Sequence, residues 1–309
     1  MHKTEYYIVK FLFWLFNRMS FKGGKRAAFI LYIIVAKIFR YRRKVILDNL
    51  RLVYGDNLPD NEQELLKNIY KNFVYLWMEF FQMRQLTVEN INEHIRFHDR
   101  DILDNALKKG NGVILISGHF GNFEWEGGAL SMLGYPIAGI AKKQSNQYVD
   151  KLIYENRTKL GSKVIYTKNA MKDGLKTLKN NGTLCLVADQ DARKSGIFVN
   201  FLGQPSSTAA GPAVFKKRSQ ATMIFTISVR RDYGVFDVFF KEVFDSSTDD
   251  SSSEDVKTIT QMHTSMLEEW VLLYPEQWFW VHKRWKTKPP PEDQPAENTN
   301  GTVKSEGVA

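Results

Sequence analysis

The central part of the chain alternates short apolar runs with longer segments that are apolar on one side only. The apolar runs cover residues 113–116, 136–141, 163–166 and 183–188, and Gly or Asn residues stand near their borders. Continuous runs of this length are typical of strands that are buried on both faces. Because the intervening segments have helical spacing, the pattern predicts an α/β fold with a mostly parallel central sheet flanked by helices.

The flanking segments predict further elements. Apolar and aromatic residues recur at helical spacing over residues 65–81, where they either pack in a core or line an acyl-chain site. Residues 201–208 have the Gly and Pro content of a loop before a helix at Pro212. Residues 221–240 predict an antiparallel hairpin. An acidic, serine-rich loop at 245–255 and a helix over 256–274 complete the prediction.

Two apolar and aromatic runs occupy the first forty residues, at 6–16 and 27–39, with basic residues between them. Neither run reaches the roughly 18 apolar residues of a spanning helix. A signal peptide is disfavoured because no small-residue cleavage site follows. The pattern favours two helices that lie at a membrane surface, with basic flanks on anionic headgroups. A tilted span over 6–20 and a buried helical hairpin of a soluble domain are the alternatives.

Composition adds a basic surface and a reducing environment to this picture. The 309 residues are 43% hydrophobic and 25% charged, and the net charge is +9. A basic surface suits nucleic acid, anionic lipid or an acidic carrier protein, but no nucleic-acid motif is present, which favours lipid. Cys185 is the single cysteine and lies in an apolar run, so it is expected to be buried. An intrachain disulfide is excluded, which fits the cytoplasmic side.

One histidine stands where a predicted strand ends. His119 follows the run 113–116, Asn122 can cap the next helix, and Glu124 lies in the first turn of that helix. Ligands bind at this edge of open α/β sheets. A neutral imidazole is the usual general base near pH 7, and a carboxylate on its other nitrogen would fix the tautomer. The alternative is that His119 caps a turn and Glu124 is a solvated helix residue.

Further polar residues follow other strands and are expected at the same edge. Lys142 and Asp189 each follow a predicted strand, so parallel pairing would bring them to the cleft of His119. Asp189, Gln190 and Asp191 form a dense polar group. Two carboxylates can bind a metal ion, but no further ligand spacing supports a metal site, so hydrogen-bonding and orienting roles are favoured. The helix at Pro212 either holds a phosphate or is simply capped.

Several of these segments resemble a known family. The segment from His119 to Glu124 resembles the His-x-x-x-x-Glu/Asp box of membrane glycerolipid acyltransferases. More narrowly, an ordered set of motifs over about residues 8–287 resembles the bacterial lipid A biosynthesis acyltransferases. These motifs are Arg42-Arg43 with Asn49-Leu50, residues 142–146, residues 157–161, Asp189-Gln190-Asp191, residues 198–203 with Thr208 and Gly211, and residues 275–286.

The resemblance implies site residues and a domain organisation. It implies an N-terminal membrane-anchoring region at 1–40 and an acyltransferase domain at 41–287, followed by a disordered tail at 288–309. His119 is implied as the catalytic base, with Glu124 as the residue that orients it. The substrate-binding residues expected on this basis are Asn122, Lys142, Asn146, Arg157, Asp189, Gln190, Asp191, Arg230 and Arg284.

The function expected from the resemblance is acyl transfer at the cytoplasmic face of the inner membrane. A fatty acyl group would pass from acyl carrier protein or CoA to a hydroxyl of a lipid A precursor or related lipid, with no metal and no cofactor. One alternative changes the acceptor to an amino-acid-containing lipid or another lysolipid. The other alternative is a non-catalytic lipid-binding protein at the membrane surface. None of these three interpretations involves nucleic acid.

Overall fold

The computed structural model describes residues 2–55, 58, 61–244 and 254–290. The α-helices in these ranges are α1 His2–Phe16, α2 Phe21–Ile33, α3 Arg43–Tyr54, α4 Glu62–Gln82, α5 Ile91–His94, α6 Asp101–Lys108, α7 Phe123–Met132, α8 Gln147–Thr158, α9 Ala170–Lys179, α10 Gly211–Lys217 and α11 Val256–Leu273. The strands are β1 Ile95–His98, β2 Val113–Ser117, β3 Ile137–Ala141, β4 Lys163–Tyr166, β5 Thr183–Val187, β6 Ile197–Phe201, β7 Gln204–Thr208, β8 Thr222–Asp232 and β9 Val235–Glu242. Residues 245–253 of the predicted acidic loop and 291–309 of the predicted tail lie outside the described residues.

A seven-stranded sheet forms the centre, in the order β1-β9-β8-β2-β5-β3-β4. Its pairs are parallel except for the β8–β9 hairpin, which is antiparallel as predicted. All five residues of β2 are buried, which explains its continuous apolar run. The α/β fold with a mostly parallel sheet flanked by helices is therefore confirmed.

Two strand regions differ from the sequence-based prediction. Strand β1 was not predicted, because its four residues, Ile-Arg-Phe-His, form no apolar run. The predicted loop at 201–208 is in fact a two-stranded hairpin of β6 and β7. Its connection, Leu202-Gly203, has positive φ at both residues (54° and 74°), as a type I′ turn requires.

The N-terminal helices pack on the rest of the chain along one side. Phe16, Ala28 and Tyr32 are buried in the main core, which they share with α4. Beyond Ile33 the helix continues as a short π-helical segment, Ile34–Ile38. Within the described ranges, no helix has the length and apolar character needed to cross a bilayer.

The parallel strands bring the carboxyl ends of β2, β3 and β5 to one edge of the sheet. His119 lies two residues beyond β2, and Asp189 lies two residues beyond β5. Gly121 makes the turn after His119 possible, because its φ is +52° and an added Cβ would lie 1.7 Å from the Ser228 carbonyl oxygen. The chain then enters α7, where the Asn122 side chain accepts the Trp125 N–H at 3.0 Å and caps the helix.

Candidate active site

His119 and Asp189 form a hydrogen-bonded pair at this edge of the sheet. The distance from His119 Nδ1 to Asp189 Oδ1 is 2.6 Å, and the second Asp189 oxygen accepts the Trp278 Nε1–H at 2.8 Å. Burial alone would raise the pKa of Asp189, but the charge and hydrogen bonds of His119 and the Trp278 bond hold it at about 2. Because the ionised Asp189 carboxylate can only accept, Nδ1 is the ring nitrogen that donates in this hydrogen bond.

Glu124 does not have the position that the sequence suggested. It was expected to orient His119, but its carboxylate pairs with Arg157, with Nε–Oε2 at 2.9 Å and Nη2–Oε1 at 2.5 Å. Helix α7 carries Glu124 toward α8, so Asp189 takes the place beside His119. Burial opposes the charged form of Arg157, yet the charge of Glu124 raises the Arg157 pKa. Glu124 and Arg157 both line the cavity described next.

A large, mostly apolar cavity opens at His119. Its volume is about 880 Å³, within the range of small-molecule sites. Lys142 and Gln190 line it as well, in accord with their predicted place in the cleft. The His119 ring is flanked by Phe123 and Phe279, at centroid distances of 4.9 Å and 5.8 Å.

Helix α4 contributes to both the core and the cavity. Leu65 and Ile69 are buried in the main core, whereas Leu76, Trp77 and Phe80 line the cavity. The apolar face of α4 thus contributes to the core in its first turns and to the cavity wall in its later turns. The sequence left this choice open because periodicity identifies a buried face without showing what covers it.

Asn122 and Arg230 belong to a buried polar network that surrounds Glu79. Asn122 Nδ2 donates to Glu79 Oε2 at 2.8 Å, and Arg230 forms an ion pair with the same carboxylate. Arg230 also donates to Asn72 Oδ1 at 2.8 Å and to the Gly121 carbonyl at 3.2 Å. Neither Asn122 nor Arg230 lines the cavity, although both were expected to bind substrate. Their contacts stabilise the turn that follows His119.

Arg284 and Asp191 also have packing contacts in place of cavity positions. Arg284 is buried and donates to the Ser207 carbonyl and to Thr208 Oγ1, both at 2.5 Å. Burial lowers the pKa of Arg284 to about 10 against the charges of Asp189 and Asp191. Asp191 accepts the Thr287 hydroxyl at 3.0 Å. Among residues 2–55, 58, 61–244 and 254–290, no group of three or more His, Cys, Asp or Glu is placed to hold a metal ion.

The side chain of Asn146 connects helices α8 and α1. Its side-chain oxygen accepts the Tyr148 N–H at 3.1 Å, and its amide donates to the His2 carbonyl at 2.9 Å and to Glu5 at 2.7 Å. Asn146 thus caps the start of α8. Asn146 does not line the cavity, so its contacts in this structure are structural.

Sequence reasoning missed the contributions of Trp278 and Glu79. Trp278 holds the second oxygen of Asp189, and Glu79 accepts from Arg230, Asn122 and the Gly234 N–H. Trp278 lies in the C-terminal motif at 275–286, but nothing in that motif indicated a contact with Asp189. Glu79 could have been suspected as a carboxylate within an aromatic stripe, because such a residue needs a partner when it is buried.

The chain matches a family model described as bacterial lipid A biosynthesis acyltransferase over residues 1–287. It is 25% identical to a phosphatidylinositol mannoside acyltransferase of Mycolicibacterium smegmatis over 241 residues, which are 77% of each chain. It is also 25% identical to a lipid A biosynthesis palmitoleoyltransferase of Escherichia coli over 262 residues, 82% of each chain. A lipid A biosynthesis lauroyltransferase of Escherichia coli is 23% identical over 285 residues, 89% of each chain.

Proposed function

Because this chain belongs to the bacterial lipid A biosynthesis acyltransferase family, we propose that it moves a fatty acyl group from an acyl thioester to a hydroxyl of a lipid A precursor or related lipid. The enzyme class, acyltransferase, follows from the family and from its relatives. The donor is acyl carrier protein or CoA. The observation that carries the proposal is the His119–Asp189 pair at the opening of a large apolar cavity.

His119 is the general base in this proposal. Its Nε2 takes the proton of the acceptor hydroxyl while the hydroxyl oxygen attacks the thioester carbonyl. Asp189 keeps the proton on Nδ1 and stabilises the imidazolium that forms. As the tetrahedral intermediate collapses, the C–S bond breaks and the imidazolium protonates the leaving thiolate. The acyl group is then joined to the acceptor by a new C–O bond.

Positively charged side chains at the cavity wall bind the donor or stabilise the transition state in this proposal. Arg157, held by Glu124, and Lys142 line the same cavity as His119. Cations at this position stabilise the oxyanion of the intermediate or the phosphate of the donor arm. The net charge of +9 also favours encounter with an acidic acyl carrier protein.

The N-terminal helices supply the membrane contact in this proposal, at the cytoplasmic face of the inner membrane. On α1, α2 and the segment that follows, large apolar side chains are exposed beside basic residues. The exposed apolar residues are Tyr7, Ile8, Phe11, Trp14, Phe29, Ile30, Ile33, Ile38, Phe39 and Tyr41. This combination is typical of helices that lie in the interface of an anionic membrane. Residues 1–40 would then be the membrane-contacting part and 41–287 the acyltransferase domain.

A transfer assay tests the proposed function. The full-length protein is mixed with vesicles of extracted bacterial lipid and with radiolabelled acyl carrier protein or acyl-CoA. We expect label to move into a lipid that mass spectrometry identifies by one added acyl ester. Lipid from a strain that lacks the gene should be missing this ester. Vesicle binding without any transfer would overturn the proposal and would favour the lipid-binding alternative.

A further inference from the structure

Three glycines leave open space in the cavity. An added Cβ at Gly127, Gly139 or Gly211 would meet no atom within 4 Å, and all three residues line the cavity. Among the glycines that the structure describes, these are the ones that combine open space with a backbone φ that other residues adopt readily. Because glycine has no side chain, these three positions add to the volume of the cavity.

The sheet divides these glycines between two sides. Gly139 of β3 is paired with Val164 of β4 and with Cys185 of β5, so the three residues face the same side. Cys185 packs in the core layer of α7, together with Leu130. We call the space lined by Gly127, Gly139, Val164 and Cys185 the α7 chamber. On the opposite side of the sheet, Ile140 and Leu186 pack with Met171 and Phe215 of α9 and α10.

A continuous helix face leads from the base into the α7 chamber. Phe123 touches the His119 ring at a centroid distance of 4.9 Å. Gly127 stands four residues later in α7, directly beside Phe123 on the same face. Gly127 thus lies in the wall of the chamber that α7 forms, and Gly139 lies in the wall that the sheet forms.

We propose that the α7 chamber holds the distal part of the transferred acyl chain, and that Gly139 and Gly127 set the longest chain that fits. This inference rests on the proposed function and specifies the donor for the same site. A linear alkyl chain fits the chamber because Gly139, Val164 and Cys185 form an apolar wall on the sheet side. A side chain placed at Gly139 would occupy the volume that the last methylene groups of a long chain require.

A comparison with Gly128 shows why Gly127 and Gly139 are suited to substitution experiments. It also lines the cavity, but an added Cβ would lie 2.5 Å from Met83 Cε and 2.9 Å from Leu160 Cδ1. A substitution at Gly128 would therefore disturb the packing of α7. At Gly139, a β-branched residue also suits the strand, so Val is well tolerated by the backbone there.

The experiment measures donor preference in a graded series. Wild-type protein and the variants Gly139→Ala, Gly139→Val and Gly139→Leu are assayed with straight-chain acyl donors from decanoyl to stearoyl. We expect the preferred chain to shorten in that order. The ratio of rates for adjacent even-numbered donors should shift by roughly fifteenfold, because these donors differ by two methylenes and each methylene that is no longer buried costs about a factor of four.

Gly211→Leu is the matched comparison, because it adds the same side chain at a position on α10, away from the α7 chamber. It is expected to leave the order of preference among donors unchanged. If Gly211→Leu shortens the preferred chain and Gly139→Leu does not, the acyl chain lies elsewhere and the inference is overturned. Circular dichroism and thermal melting confirm that each variant is folded.

Gly127→Leu gives a second route if Gly139→Leu does not fold, since Leu is a better helix former than Gly. It should shorten the preferred chain in the same way, and free fatty acids of the excluded length should no longer raise its melting temperature. If the folded variants keep the wild-type preference among donor chain lengths, the inference is overturned while the proposed function stands. If the wild-type protein transfers no donor, it is the proposed function that fails.

Discussion

The choice of partner for His119 shows how a single residue's role depends on strand register. Glu124 is five positions away along the chain, whereas Asp189 is seventy positions away. Ser117 of β2 is paired with Val187 of β5, and two further residues on each strand place His119 beside Asp189. The sequence placed His119 and Asp189 at one edge of the sheet. It did not show that β2 and β5 are neighbours, and this adjacency decides which carboxylate is in reach.

Arg230 provides a residue-scale test of the difference between a binding role and a structural one. Arg230→Met should lower the free energy of unfolding by about 3–5 kcal/mol, because it leaves the buried Glu79 carboxylate without its counter-charge. Urea unfolding measures this loss. Arg231→Met is the matched control: its side chain is 41% exposed in its pair with Asp237, and the cost should stay within about 1 kcal/mol. Unchanged stability with a raised KM for the acceptor would restore the binding role for Arg230.

At the scale of elements, helix α7 follows the turn after His119, forms one wall of the α7 chamber and carries a buried acidic residue. Glu126 lies on this helix and is buried against the sheet, near Thr226 and Cys185. Burial raises the pKa of Glu126 to about 8, although the nearby Thr226 hydroxyl lowers it. The side chain is therefore protonated in the folded protein near neutral pH.

This raised pKa should make stability fall as the pH rises. The folded-state pKa of Glu126, about 8, exceeds the ordinary value of 4.5, so the stabilising contribution is complete below pH 4.5 and is lost toward pH 8. We expect wild-type protein to lose about 1.4 kcal/mol per pH unit relative to Glu126→Gln between these limits. Urea unfolding at pH 5.5, 6.5 and 7.5 measures the difference. Glu155→Gln, at an exposed position of α8, is the control, and equal slopes for Glu126→Gln and wild type would contradict the assignment.

At the scale of the whole molecule, the cavity at His119 and the exposed apolar surface of the N-terminal helices belong to one folded unit. Helix α2 packs on α4, and α4 lines the cavity with Leu76, Trp77 and Phe80. The sequence identified the amphipathic character of the N-terminal region, but the packing of one face onto α4 appears only in the fold. A surface that touches lipid would therefore be rigidly connected to the site that acts on it.

Vesicle binding tests the proposed membrane surface. Ile38 and Phe39 are 68% and 74% exposed, and we expect the double variant Ile38→Ser, Phe39→Ser to bind anionic vesicles at least about tenfold more weakly, because two inserted side chains are lost. Co-sedimentation measures the change. The control is Leu272→Ser, Leu273→Ser on α11, whose side chains are 53% and 67% exposed. Equal loss in both double variants would place the membrane contact elsewhere.

The sequence predicted most of the fold, and it predicted the site only in part. Periodicity was sufficient for β2 to β5, for the β8–β9 hairpin and for the helices between them, because apolar residues and bordering turn residues mark each strand. It failed for β1 and for the β6–β7 hairpin, where polar residues interrupt the apolar pattern. Five of the eleven predicted site residues, His119, Glu124, Lys142, Arg157 and Gln190, line the cavity, and Asp189 supports His119. The remaining five, Asn122, Asn146, Asp191, Arg230 and Arg284, have structural contacts that no local motif reveals.

The most direct test is the rate of acyl transfer by His119→Ala, compared with Asp189→Asn and wild type in the same vesicle assay. We expect His119→Ala to lose at least about a hundredfold in kcat, since the general base is removed, while its melting temperature and vesicle binding stay close to those of wild type. Asp189→Asn should lose kcat with little change in KM, because it disturbs the tautomer and not the binding of either substrate. Wild-type kcat in a folded His119→Ala protein would contradict the role of the His119–Asp189 pair.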